Sequence, residues 1–340
     1  MNRTYTEDSV VVRFVDVTRK FGTFTAVSQL NLDIHAGEVL GLLGPNGAGK
    51  STTMKLMSYL IKPTAGEIYI RNNGHLEKLT NSTKDHLLDN LGFLIENPAF
   101  YDDVTPRQIL GYFAQLRGYP SQYIKKRVED VVAMMGMSEW IDKKIATFSK
   151  GMRQKIGIIS TIVHDPQVIV LDEPQTGLDP KARIEVRTFI QQLKEMGKTV
   201  FLSSHQLYEV SEVADRVAII SHGQLIACDT VENLEAKAKK SMIQLEIYPP
   251  PNGSVPETIE KLNKIISPLT GLENTKNEIR FNSKNDFFEI IFDGNPENQI
   301  KILHALVEKN IGVIGYSVPR AGLLEDLYLN LMKQDEEGRK

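Results

Sequence analysis

One cysteine, one tryptophan and no apolar run of membrane-spanning length characterise this chain of 340 residues. A lone thiol, Cys228, closes no intrachain disulfide and builds no cysteine cluster around a metal. Set among Leu225, Ile226 and Ala227, it reads as a buried structural group. The longest apolar stretches, such as Ile156 to Val163 and Val168 to Leu171, fall well short of the roughly 18 residues that a bilayer crossing needs. The chain is therefore expected not to span a membrane by itself. Its first residues, Met1 to Ser9, are polar and lack the apolar segment of a secretory signal, which gives a cytoplasmic expectation. A net charge of -3 offers no basic surplus for a nucleic-acid partner.

What is present is ordinary globular composition: 41% hydrophobic and 24% charged residues argue against disorder. The length suffices for one large domain and a smaller one. Alternation marks strands at Val10 to Val17 and Leu30 to Ile34, and Val39 to Leu43 reads as a buried strand running directly into glycines. Thr52 to Tyr59 has helical spacing, and Thr105 to Met137 is mostly helical, with Pro106 suited to a helix start. A second series alternates helix and strand: Lys150 to Val163, Gln167 to Leu171, Pro180 to Met196, Thr199 to Ser203, Leu207 to Ala214, and Arg216 to Ile220 as a last strand. This alternation implies an α/β sheet with covered faces. Beyond Thr230 the character changes. Met242 to Tyr248 alternates and ends at Pro249-Pro250-Pro251, and further strands and helices follow, closing with a helix over Leu323 to Met332. These elements suggest a small α+β domain of split βαβ type.

The strongest motif is Gly44-Pro45-Asn46-Gly47-Ala48-Gly49-Lys50-Ser51-Thr52, which fits G-x-x-x-x-G-K-[ST] between a buried strand and a helix. Such glycines let the backbone curl until successive N–H groups face one point, and the following helix adds its positive end. Lys50 is placed to reach the β- and γ-phosphates, and Ser51 to offer a hydroxyl to Mg²⁺. Asp172 ends the apolar strand Val168 to Leu171, where a carboxylate suits the Mg²⁺ hydration shell, and Glu173 follows at the ligand-binding edge of an open α/β sheet. Glu173 is the expected general base for an attacking water. Considered apart from the loop, the two acids could be inert surface groups. His205, just after Val200 to Ser204, can hydrogen-bond a γ-phosphate; in isolation it better fits a cap or the core.

Together these features resemble the ATP-binding-cassette ATPase family, a P-loop NTPase fold with a helical subdomain. The decisive addition is Phe148-Ser149-Lys150-Gly151-Met152-Arg153-Gln154, which looks like a variant of the family's Leu-Ser-Gly-Gly-Gln signature. By resemblance, Ser149 and Gly151 contact the γ-phosphate held by the loop of a second subunit. The resemblance also makes Phe21 the residue that stacks on adenine, though a phenylalanine read alone belongs in the core. It places Asp179, in Gly177-Leu178-Asp179-Pro180, on a loop that crosses the dimer seam, and gives His205 the switch position. The implied organisation is a nucleotide-binding domain over 10–230 with a helical subdomain at about 97–163. A linker over 231–241 and an α+β domain over 242–340 follow.

ATP and Mg²⁺ are the implied ligands. A head-to-tail dimer with itself or a homologue, and a separate membrane permease, are the implied partners. The chain would then lie at the cytoplasmic face of the membrane, in the manner of the bacterial peptide-antibiotic export and self-protection branch. Coupling to the permease is expected around Glu96, Phe100, Tyr101 and the helices of Thr105 to Met137.

Four positions depart from the family. Glu96 stands where a glutamine usually links the Mg²⁺ site to the permease. It can still accept from metal-bound water but adds charge and loses the amide donor. Lys150 and Met152 replace a glycine and a glutamine of the signature, and Gln175 replaces a small polar residue with nothing in the sequence to explain it. An alternative reading, a cassette ATPase of translation or DNA repair, more often carries two fused cassettes or a long coiled-coil insertion. A purely regulatory module would more plausibly lack Lys50 or Glu173.

Overall fold

The computed structural model describes residues 5–96, 98–237, 241–248, 255–272, 279–283 and 286–318, together with Tyr328. The chain divides into two compact units, Met1–Val231 and Glu232–Lys340.

In the first unit, β1 (Val10–Phe21) and β2 (Phe24–His35) form an antiparallel hairpin turned at Gly22-Thr23. Then come β3 (Val39–Leu43), α1 (Lys50–Met57), β4 (Ala65–Asn72), β5 (His75–Lys78), α2 (Lys84–Leu88) and β6 (Leu91–Leu94). Three further helices follow, α3 (Pro106–Leu116), α4 (Ser121–Met134) and α5 (Lys150–Ile162). The unit continues with β7 (Val168–Leu171), α6 (Pro180–Glu195), β8 (Thr199–Ser204), α7 (Leu207–Ser211), β9 (Arg216–Ser221) and β10 (Gln224–Thr230).

Two sheets result. One is antiparallel, in the order β2-β1-β4-β5, and the other runs β10-β9-β3-β8-β7-β6. In the second sheet β9, β3, β8, β7 and β6 are parallel. Every residue of β3, β7 and β8 is buried, as expected of parallel strands covered on both faces. A continuous core joins the two sheets around α1, with Phe14, Leu30 and Ile34 meeting Leu40, Leu42, Met54 and Phe201. Each such side chain contributes about 1.5–3 kcal/mol of transfer free energy.

Two expectations are corrected. Arg216 to Ile220 is not the last strand, because His222 and Gly223 both take positive φ (46° and 79°) and close a two-residue turn that sends β10 back antiparallel along β9. Positive φ at both central residues is what a tight hairpin requires. The helix expected over Leu207 to Ala214 ends at Ser211. The Asp215 backbone N–H then pairs with the Val39 carbonyl, and its carboxylate accepts from the Val39 N–H at 2.9 Å.

After α8 (Val231–Lys237), the second unit contains β11 (Ser241–Ile247), α9 (Val255–Ile266), β12 (Ile279–Asn282), β13 (Phe287–Phe292), α10 (Pro296–Glu308) and β14 (Val313–Ser317). Its antiparallel sheet has the order β12-β13-β11-β14, a βαββαβ arrangement. Ile243, Leu245, Phe288 and Ile290 pack with Leu262, Ile266, Ile302 and Leu306 of the helices. Apart from Tyr328, the helix expected over Leu323 to Met332 lies outside the described residues, as do the prolines at 249–251.

Candidate nucleotide site

The carboxyl ends of three parallel neighbours, β3, β8 and β7, lie on one edge of the sheet. That edge carries the phosphate loop, His205 and the Asp172-Glu173 pair, so residues far apart in sequence converge where open α/β sheets bind ligands. The loop is held tightly from behind. A β-carbon added at Gly49 would come within 2.5 Å of the Ala26 carbonyl oxygen, and the residue has φ +107°. Glycine is therefore required there. At Gly47, with φ +81°, an added β-carbon would meet nothing within 4 Å; the front of the loop faces open space.

Lys50 is buried. Its ammonium donates to the carbonyls of Gly44 (2.7 Å) and Pro45 (3.1 Å) and lies 3.4 Å from Glu173 Oε1. Asp172 is also buried, and its Oδ1 accepts from Ser203 Oγ at 2.5 Å. The same hydroxyl accepts from the Glu173 backbone N–H at 2.9 Å, so Ser203 fixes both acids. Glu173 takes a left-handed φ of 46°, a strained conformation for a residue with a side chain.

Glu173 Oε2 accepts from Thr176 Oγ1 at 2.9 Å and lies 3.3 Å from His205 Nδ1. That Nδ1 is buried and makes no hydrogen bond of good geometry. Burial pushes the Glu173 carboxyl up, but the Thr176 hydroxyl, Lys50 and His205 together outweigh it and hold the group below the ordinary carboxylate range. Glu173 is ionised at neutral pH, as a general base must be.

Phe21 is not a core residue. At 46% exposure it stands at the hairpin tip, with the Arg19 guanidinium stacked 4.5 Å from its ring centroid. The hairpin passes behind the phosphate loop at Ala26. Ser149 caps α5, its Oγ accepting from the Met152 N–H at 3.3 Å. The preceding Phe148 is buried edge-on against Trp140, with ring centroids 6.0 Å apart. The side chain of Lys150 lies over Gly177. Asp179 caps α6, accepting from the Ala182 N–H at 2.9 Å. Among the described residues, no hydrogen bond or ion pair joins Ser149 or Gly151 to the phosphate loop.

Glu96, also at positive φ (67°), is ion-paired with Lys55, one helical turn beyond Ser51. Asp172 lies at the end of the strand beside it, its backbone N–H donating to the Leu94 carbonyl at 2.8 Å. Tyr101 is strongly exposed, whereas Phe100 is half-buried. Gln154, the last residue of the signature segment, donates from Nε2 to the Pro174 carbonyl at 3.3 Å. Sequence reasoning missed the roles of Ser203 and Thr176. It also left Gln175 unexplained, and that side chain is buried with Oε1 lacking a hydrogen bond. Cys228 is half-buried and accepts from Arg216 Nη2 at 3.1 Å.

The donors suit a hard divalent cation: a hydroxyl, Ser51, and carboxylates, Asp172 and Glu96. Among the described residues no three His, Cys, Asp or Glu side chains form a closed cage. Mg²⁺ fits such a site, because it keeps several waters and takes one or two carboxylates plus substrate phosphates. The carbonyls of Gly44 and Pro45 occupy Lys50 as the oxygens of a phosphate would.

A phosphate loop between a buried parallel strand and a helix, with an acidic pair at the end of the next strand but one in the sheet, defines a P-loop ATPase. The family description "ABC transporter" matches residues 27–176. An ABC transporter ATP-binding protein of Bacillus subtilis, YcbN, is 36% identical over 228 residues, 67% of this chain and 72% of the relative. The bacitracin transport ATP-binding protein of Enterococcus faecalis is 35% identical over 231 residues, 68% of this chain and 72% of the relative. The solved structure of an ATP-binding subunit of an ABC transporter superposes with a TM-score of 0.60 at 26% identity, covering 67% of this chain and 92% of that one. The chain belongs to the ATP-binding subunits of ABC transporters, and it binds and hydrolyses ATP to energise transport. The translation and repair alternative finds no support in these relatives.

Proposed function

We propose that two copies of this chain, or this chain and a homologue, close head to tail around two ATP molecules and drive a separate membrane permease that exports a peptide antibiotic or similar compound. One observation carries the composite site. Glu173 lies 3.4 Å from Lys50 and 3.3 Å from His205, whereas the exposed cap Ser149 opens α5 with free N–H groups and, among the described residues, no hydrogen bond to its own loop. A second subunit's signature completes the site in this arrangement, with a two-fold axis relating the pair.

In the chemistry that follows, Lys50 leaves the Gly44 and Pro45 carbonyls for the β- and γ-phosphates, and Phe21 stacks on adenine. Glu173 accepts a proton from water as the water oxygen bonds to the γ-phosphorus; the bond to the β-phosphate oxygen breaks, and ADP leaves. His205 orients the γ-phosphate. Ser51, Asp172 and Glu96 would hold Mg²⁺, which when bound neutralises phosphate charge. Loss of the γ-phosphate releases the closed state, a two-state switch.

No helix among the described residues is long and apolar enough to cross a membrane. A permease subunit docking near Glu96 and the exposed Tyr101 would set this chain at the cytoplasmic face. The peptide class rests on the similarity to the bacitracin transport subunit. Purification from membranes under mild detergent tests the reading. A co-purifying permease whose complex hydrolyses ATP faster with bacitracin-like peptide is expected, and a ribosome-bound form free of any membrane protein would overturn it.

A further inference from the structure

Glu209 is a buried carboxylate that the chemistry above leaves unused. It lies on α7 and is only 4% exposed. Its Oε2 accepts from Ser204 Oγ at 2.8 Å, and that hydroxyl in turn accepts from the Gln206 N–H at 3.0 Å. Glu209 therefore clamps the backbone on both sides of His205. Its Oε1 is buried without a hydrogen bond. The cation facing that atom is Arg183, whose Nη1 stands 3.9 Å away. Arg183 belongs to the first turn of α6, and its Nε donates to the Leu178 carbonyl at 3.0 Å.

A continuous path thus runs from Leu178, in the segment 177–180, through Arg183, Glu209 and Ser204 to His205, which lies 3.3 Å from Glu173 Oε2. An unpaired oxygen inside the protein is costly, and 3.9 Å is about 1 Å too long for a charge-assisted hydrogen bond. A shift of that size at Leu178 would carry Arg183 onto Glu209.

We propose that Glu209 is a positioning residue for hydrolysis, which with Arg183 transmits the placement of Leu178 and Asp179 to His205. This rests on the reading of His205 as the γ-phosphate partner and of 177–180 as the dimer-seam segment. When the seam is open the Arg183–Glu209 pair is loose and His205 is free to turn. When it closes, the pair forms, and the Ser204-His205-Gln206 turn is fixed against the phosphate. Hydrolysis then waits on the partner subunit.

Steady-state ATPase and thermal midpoints of E209Q, R183Q and H205A, singly and combined, test the relay. E209Q keeps an acceptor for Ser204 but presents an amide to Arg183. R183Q changes a partly exposed side chain, so it stays informative should E209Q fail to fold. Each is expected to lower kcat between about twofold and thirtyfold, the usual range for coupling residues, with a smaller change in KM for ATP. E209Q/R183Q should be no slower than the slower single variant, and neither change should slow H205A further. Effects that multiply with each other or with H205A would overturn the relay, because a merely structural role lowers the rate in every background. An H205A protein that retains full kcat would instead refute the underlying assignment of His205.

Discussion

Glu173→Gln separates catalysis from folding more sharply than any other single change. The substitution keeps the shape of the side chain and an oxygen for the Thr176 hydroxyl, and removes one negative charge. Lys50 loses a partner at 3.4 Å but keeps the Gly44 and Pro45 carbonyls. Glu173 is 26% exposed, so the lost ion pair is partly screened and contributes at most about 1 kcal/mol to folding. On the proposed role of Glu173, the chemical step loses its proton acceptor, worth roughly 10²- to 10⁴-fold, or about 3–5 kcal/mol of barrier. The catalytic term wins by a wide margin.

The variant is expected to fold with a thermal midpoint within a few degrees of the unmodified protein, bind ATP at least as tightly and accumulate as an ATP-bound dimer. Single-turnover phosphate release and light scattering with ATP and Mg²⁺ read the two effects. A rate within tenfold of the unmodified protein, or a loss that follows the thermal midpoint, would refute the argument. Because the Thr176 hydroxyl, Lys50 and His205 hold Glu173 below the ordinary carboxylate range, any loss of kcat/KM that its protonation causes should lie below that range.

Further expectations follow from other parts of the molecule. Phe21→Ala should weaken ATP binding by about 1–3 kcal/mol, the scale of base–aromatic stacking, and leave the thermal midpoint near its original value; unchanged ATP affinity in a titration would contradict it. Gly49→Ala should destabilise the fold and abolish nucleotide binding, since φ is +107° and the Ala26 carbonyl blocks the added methyl. Gly74→Ala, where φ is +85° but the space is open, should cost only backbone strain, so equal thermal shifts would count against the steric argument. Burial and the nearby Arg117 push His164 down to about 4 from 6.5, so the folded state refuses a proton that the unfolded chain accepts. Its contribution is full above pH 6.5 and is lost as pH falls towards 4, by at most about 3 kcal/mol. His164→Gln should flatten that part of a denaturation-versus-pH profile, and an unchanged slope would remove His164 as the cause.

The phosphate loop was legible because its glycines, lysine and serine occupy fixed spacings between a buried strand and a helix, and steric necessity leaves few other sequences. Asp172 and Glu173 were legible as acids at the end of an apolar strand. Their fastening to Ser203 was not, because that contact joins neighbouring strands 30 residues apart in sequence. Phe21 was ambiguous for the opposite reason: its type favours burial, and only its place at a two-residue turn exposes it. The short β5, α2 and β10 gave weak periodicity, since each is partly exposed and too brief for alternation to accumulate. The hairpin at His222-Gly223 rests on positive φ at both residues, which residue type alone does not dictate. Glu209 and Arg183 belong to no sequence motif, because only folding sets the buried carboxylate beside the guanidinium.

The central claim is that each nucleotide lies between the phosphate loop of one subunit and the signature of another. Mixing two inactive variants tests it most directly. Lys50→Ala damages a loop, and Ser149→Arg blocks a signature. A head-to-tail heterodimer of the two contains one doubly damaged site and one intact site. Random pairing of equal amounts should therefore restore about a quarter of the intact sites, and ATPase activity should reappear on mixing with ATP and Mg²⁺. Activity that stays at the sum of the two separate variants at every mixing ratio, while dimers form, would contradict the composite site.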